Sequence, residues 1–475
     1  MNLTSSGMVK VVALAVLFGA LTALARAQDA HALVGPWHGS IEIPPNISLR
    51  MQVDFKQSES GLGAEIRVPE QTDAALPLDN VRAEGENIHM EFAAGIGRAT
   101  YDGTLKDGVI SGTFLQNGMR GTFRLERGAL PQPEVKPLPG RHEEVRIKAG
   151  EIELAGTFSV PESTGPFAAV LCITGSGAQN RDEEVAGFAF FRELARFLLG
   201  EGVAVLRCDD RGIGASTGSA LTVTTHTNTD DMEAAFRWLL ARKEVDPLRA
   251  GLVGHSEGGV IAPLLAGRIS STGFLVLLAP SCVKGDELLF RQGELLLKAG
   301  GGTKAMAVAK KKMQAALFHW MRTGDGRAEV DALVGEEALA ARKNMPESLR
   351  GATEEEFVVQ YLKRALAQCD SPWMRAFIDH DPAPALRAVQ CPTLALFGAR
   401  DLQVPPSQNR PALEAAFVGK EALLRVVTVP KANHLFQSAL TGGVHEYTSL
   451  KKEFAPGVFD ELGAFLRART APQGK

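Results

Sequence analysis

Two pentapeptides place glycines on either side of a serine in the pattern Gly-x-Ser-x-Gly: GASTG at 214–218 and GHSEG at 254–258. At a sharp strand-to-helix turn this pattern lifts the serine hydroxyl to an exposed apex, where, with a base beside it, it can attack a carbonyl carbon. Context separates the two copies. GASTG follows DDRGI and runs into SALTVTTHTN, which is polar and β-branched without a helical period, so Ser216 is expected in a loop, in a turn role. GHSEG lies between the strand-like AGLVG and the helix-forming GGVIAPLLAG. There Gly254 and Gly258 let the backbone turn without a Cβ clash, and Ser256 is the expected nucleophile. The helix beginning at Glu257 would bring its positive end to developing oxyanion charge.

A serine hydroxyl is weak until a base takes its proton and an acid orients that base. His434, in PKANHLF, follows the apolar run LLRVVTVP and is the expected base, with His445 the fallback on the same connection. His319 and His380 fall in or just after a long helical insertion. Asp401, in CPTLALFGARDLQVPP, follows the preceding strand and is the expected acid. For the oxyanion, one N–H is expected from Glu257 and a second from Ser176 or Gly177 in the glycine-rich TGSGAQNRDE. Such a set is expected to perform acyl transfer. The loop lacks a P-loop lysine, and the chain carries neither a spaced His/Cys/carboxylate set nor a nucleotide fingerprint. No metal or other cofactor is therefore expected.

The elements around these residues follow two different periods. Residues 28–128 alternate apolar and polar, as in LRMQVDF (49–55), NIHMEF (87–92) and GTFRLE (121–126), which predicts a small antiparallel β sandwich or barrel. His31, His38 and His89 are expected there as surface or strand-face residues. A proline-rich linker spans 129–141. From 142 to 475, apolar β-type runs (167–177, 202–210, 249–256, 274–280, 391–398, 423–430) alternate with helix-period segments (191–200, 230–242, 258–268). That order predicts a mostly parallel, doubly wound sheet covered on both faces, with residues 283–375 as a helical cap.

Residues 1–27 read as a secretory signal peptide: Lys10, an apolar run at 11–25, then ARA before Gln28. The mature protein is thus expected to be exported, periplasmic or secreted, with no stable membrane span. The formal net charge of −4, −6 once Lys10 and Arg26 are removed, comes without a basic stripe and argues against a nucleic-acid partner. Five cysteines (172, 208, 282, 369, 391) are too few for a disulfide scaffold and read as buried thiols.

In order along the chain, ITGSGAQNRDE, DDRGIGASTG, GHSEGG, FGARDLQVP and ANHLF resemble the α/β-hydrolase superfamily, in its serine-aminopeptidase-like and bacterial carboxylesterase branch. With the leader and the β-rich front, the whole chain is similar to exported two-domain carboxylesterases. The resemblance implies hydrolysis of small-molecule esters without a cofactor. It also implies a place near the acyl pocket for Trp373 and a loop-bracing ion-pair role for Asp210 and Arg211. The same triad could serve a peptidase or an acyl-thioesterase. A rival from another class is a protein whose β domain captures a lipid or glycan.

Overall fold

A computed structural model describes residues 32–470 apart from 44–46, 59–60, 70–71, 95–96, 117–118, 132–135 and 345–352; the leader and His31 lie outside the described residues. The chain divides into two compact units, 1–135 with 335–364 and 136–334 with 365–475. Residues 335–364, in the latter part of the expected cap, group with the first unit, the boundary falling inside the helix Arg327–Asn344.

The first unit holds β1 (Gly35–Ile43), β2 (Ile47–Ser58), β3 (Gly61–Val68), β4 (Thr72–Pro77), β5 (Asp79–Glu84), β6 (Asn87–Ala94), β7 (Gly97–Lys106), β8 (Val109–Gln116) and β9 (Met119–Arg127). They form one antiparallel near-barrel in the order β4-β3-β2-β1-β9-β8-β7-β6-β5. The period-two reading locates its core: Leu49, Met51, Val53 and Phe55 are buried beside Trp37, Met90 and Phe123. His38 and His89 lie on β1 and β6.

In the second unit the strands are β10 (Arg141–Ala149), β11 (Ile152–Val160), β12 (Phe167–Ile173), β15 (Val203–Cys208), β16 (Val245–His255), β17 (Phe274–Leu278), β18 (Thr393–Gly398) and β19 (Leu424–Val429), after a small ribbon of β13 (Glu184–Val185) and β14 (Phe188–Ala189). The sheet order is β10-β11-β15-β12-β16-β17-β18-β19, antiparallel at the β10 and β11 edge and parallel from β15 onward. Every residue of β12, β15, β17 and β18 is buried, as helices on both faces of a parallel sheet require. The helix Phe190–Gly200 shows how that cover is encoded: Phe190, Phe191, Leu194, Ala195, Leu198 and Leu199 fall on one buried face.

One helix starts earlier than its periodicity suggests. It spans Thr225–Leu240, so THTN belongs to its first turns. Thr224 and Thr227 form a capping box, a local hydrogen-bond device that outweighs the low helix propensity of threonine. No helix among the described residues is long and apolar enough to cross a membrane. All five cysteines are free. Burial pushes the Cys172 and Cys208 thiols, on neighbouring strands, up to about 12.

Candidate active site

Ser256 directly follows β16 and precedes the helix Gly258–Arg268. Its φ of +53° is left-handed, a conformation a serine holds only where the surroundings impose it. The flanking glycines show the constraint. A Cβ on Gly254 would lie 2.0 Å from the Gly258 carbonyl oxygen, and one on Gly258 would lie 2.1 Å from that of Ile173. Ser216, by contrast, is buried in a loop, where its Oγ donates to the Asp209 carbonyl and accepts the Ala155 N–H, both at 2.8 Å.

Asp401 and His434 follow β18 and β19 and meet at the carboxyl edge of the sheet, with His434 Nδ1 2.8 Å from Asp401 Oδ2. The other Asp401 oxygen accepts the N–H groups of Gln403 and Val404, each at 2.8 Å, which fixes the carboxylate plane. His434 and Ser256 line one cavity of about 220 Å³, together with Ser176, Glu257, Leu288 and Trp373. No hydrogen bond joins Ser256 Oγ to His434 among the described residues. The other three histidines that follow Ser256 lie outside this cavity: His445 and His319 are exposed, and His380 pairs edge-on with the His226 ring.

Among the described residues, no backbone carbonyl accepts the N–H of Glu257 or Ser176. Gly177, at φ +99°, lines a neighbouring cavity of about 370 Å³ rather than the one holding Ser256. Trp373 borders both cavities. Its indole N–H donates to both carboxylate oxygens of Glu257 at 2.8 Å, and Thr225 Oγ1 donates to one of them at 2.6 Å. Burial pushes the Glu257 carboxyl above its ordinary range, against those hydrogen bonds.

Asp210 and Arg211 do not pair with each other. Arg211 makes a two-point bond to Asp231, whereas Asp210 accepts from Thr174 Oγ1 at 2.8 Å and from the Gln179 N–H at 2.9 Å. Their side chains leave the chain toward different partners, and Asp210 is the one drawn under the glycine-rich loop.

Two residues escaped the sequence reading. Glu183 and His255 are both buried, with His255 Nδ1 2.8 Å from Glu183 Oε1 and Nε2 3.1 Å from the His434 carbonyl oxygen. Glu183 Oε1 also accepts the Gly175 N–H at 2.8 Å. The one available signal was the position of His255 beside Ser256. Nothing local indicates a partner 72 residues away.

A strand-elbow serine, a buried Asp–His pair and an open glycine-rich loop at the carboxyl edge of a parallel sheet define a class of hydrolytic fold. A profile of the alpha/beta hydrolase family matches residues 170–439, and the chain belongs to that family. Esterase EstD of Thermotoga maritima is 24% identical over 335 residues, covering 70% of this chain and 68% of that protein. Among solved structures, an esterase of Pyrococcus furiosus is similar at 17% identity and a TM-score of 0.42, covering 70% of this chain and 92% of its own. A proline iminopeptidase of Mycobacterium smegmatis is similar at 16% identity and a TM-score of 0.42, covering 69% and 98%.

Proposed function

We propose that the protein hydrolyses carboxylic esters through an acyl-enzyme formed on Ser256. The observation that carries this reading is the buried Asp401–His434 pair opening onto the cavity that holds the elbow serine. His434 takes the proton of Ser256 Oγ as that oxygen attacks the ester carbonyl, and Asp401 holds the imidazole tautomer and stabilises the imidazolium. The N–H groups of Glu257 and Ser176 receive the oxyanion. His434 then returns the proton to the leaving alcohol. A water activated by the same imidazole releases the acid and frees the serine.

A cavity of about 220 Å³ is small beside the roughly 300–1,000 Å³ of drug-sized ligand pockets, which supports a short acyl group. A peptidase reading with a free amino terminus needs carboxylates offered to an amine. The two acids lining the cavity, Glu183 and Glu257, are engaged by His255 and by Thr225 and Trp373, which favours the ester. The apolar run and ARA of residues 1–27 support export to the periplasm or medium, and amino-terminal sequencing of the mature protein, expected to begin at Gln28, tests it.

The deciding experiment is a chromogenic ester series from acetate to palmitate, with an acyl-thioester and an aminoacyl-anilide alongside, on wild type and Ser256→Ala. Short-chain ester turnover should fall by at least about 10³-fold in the variant. Cleavage of the anilide or the thioester alone would replace the ester reading, and an active Ser256→Ala would remove Ser256 from the mechanism.

A further inference from the structure

The ring of His255 is bonded through both nitrogens. Nε2 faces the His434 carbonyl oxygen, which can only accept, and Nδ1 faces Glu183 Oε1, which already takes the Gly175 N–H. A neutral imidazole has one N–H and cannot donate to both oxygens. We infer that Glu183 and His255 form a buried carboxylate–imidazolium pair that positions the oxyanion loop and the His434 loop against the Ser256 elbow. The inference rests on the catalytic reading of Ser256, Asp401 and His434.

Three chain segments meet at this pair. Gly175 precedes the loop amide at Ser176, His255 precedes the nucleophile, and the carbonyl it holds belongs to the base itself. A Cβ on Gly175 would lie 2.8 Å from Glu183 Oε1 and 3.2 Å from Ser256 Cβ, so loop, acid and elbow are in direct apposition. Glu183 adopts φ +45°, a left-handed conformation that glutamate rarely takes, while its carboxylate is buried. The His255 ring packs 4.5 Å from Phe190 and 4.8 Å from the His434 ring. Its charged or titratable surroundings are Glu183, His434 and Asp401, with Asp210 beyond Thr174. Burial pulls the His255 pKa down, but the Glu183 charge and the two hydrogen bonds outweigh it, and the net direction is upward.

Neither residue touches a reacting atom; both are positioning residues. Oxyanion donors act in the transition state, so loosening them should lower kcat more than it raises KM. Glu183→Gln keeps shape and volume but removes the charge that holds the proton on His255. Its kcat on a short ester should fall about 10- to 100-fold, with KM within about three-fold. In wild type, kcat should decline as pH rises through the His255 pKa; in Glu183→Gln that decline should be absent.

Nitrogen NMR of histidine-labelled protein, assigned with His255→Asn, reads the pair without using activity. At pH 7 both ring nitrogens of His255 should carry protons in wild type, and one in Glu183→Gln. A neutral His255 in wild type, or a Glu183→Gln variant with wild-type kcat and pH profile, overturns the inference. Should Glu183→Gln fail to fold, the NMR of the unmutated chain decides alone. Retained turnover in Ser256→Ala would instead sink the catalytic reading, leaving the ion pair itself to be judged by the spectrum.

Discussion

Asp401 uses its two oxygens differently, and the division predicts how its loss would show. Asp401→Asn can still accept the Gln403 and Val404 amides through Oδ1, but its NH₂ would face His434 Nδ1 and force the wrong tautomer. The variant should fold with nearly unchanged Tm and lose about 10⁴-fold in kcat, as measured by steady-state kinetics beside a thermal melt. Asp210 makes a different prediction. Burial pushes its carboxyl up to about 7, so the folded chain keeps a proton that the unfolded chain releases near pH 4. Its contribution to stability therefore falls as pH rises from about 4 to about 7. Asp210→Asn can accept from the Gln179 N–H and donate to Thr174 Oγ1, so its Tm relative to wild type should be higher at pH 8 than at pH 5. Equal differences at the two pH values would refute the buried-proton account. At this scale the sequence marks Ser256, Asp401 and His434 because each follows a recognisable strand. Glu183 and His255 stayed hidden because what distinguishes them is a hydrogen bond across the fold.

The short helix Pro372–Phe377 shows how an element carries a side chain to the site. Ser371 caps it by accepting the Met374 N–H at 3.1 Å, and the Trp373 ring stacks on Phe377 with centroids 4.7 Å apart. Its indole then reaches Glu257, next to Ser256. Trp373→Ala removes a wall common to two cavities and a donor to a buried carboxyl. The best acyl chain should lengthen by several carbons, and kcat/KM on acetate should fall about ten-fold. Trp373→Phe should keep the chain-length optimum and lose part of the rate, because the ring remains but the N–H does not. The same ester series measures both. Strands with every residue buried and helices with one apolar face were legible as patterns. The start of Thr225–Leu240 was not, since its evidence is a threonine capping box rather than a period.

On the scale of the whole molecule, two separate hydrophobic cores imply that one unfolding temperature does not describe the chain. Met51 is fully buried in the β unit, and Met51→Ala should destabilise that unit by about 2–5 kcal/mol. Calorimetry should then show one transition moving down while the transition that tracks the proposed ester turnover holds its temperature. A shared shift of both would mean that the units unfold together. The change from period two to alternating strands and helices told the two kinds of architecture apart in sequence.

From β16 to β19 the order of strands in the sheet follows the order of the chain: Ser256 directly after an inner strand, Asp401 after the strand one short of the edge, His434 after the edge strand itself. The site is therefore also a clock. A chain folding from its amino terminus forms the serine elbow before the helical insertion and, on the proposed mechanism, gains its base only when β19 has docked. On the proposed mechanism, chains released before His434 lack the base and should show no turnover of the ester series.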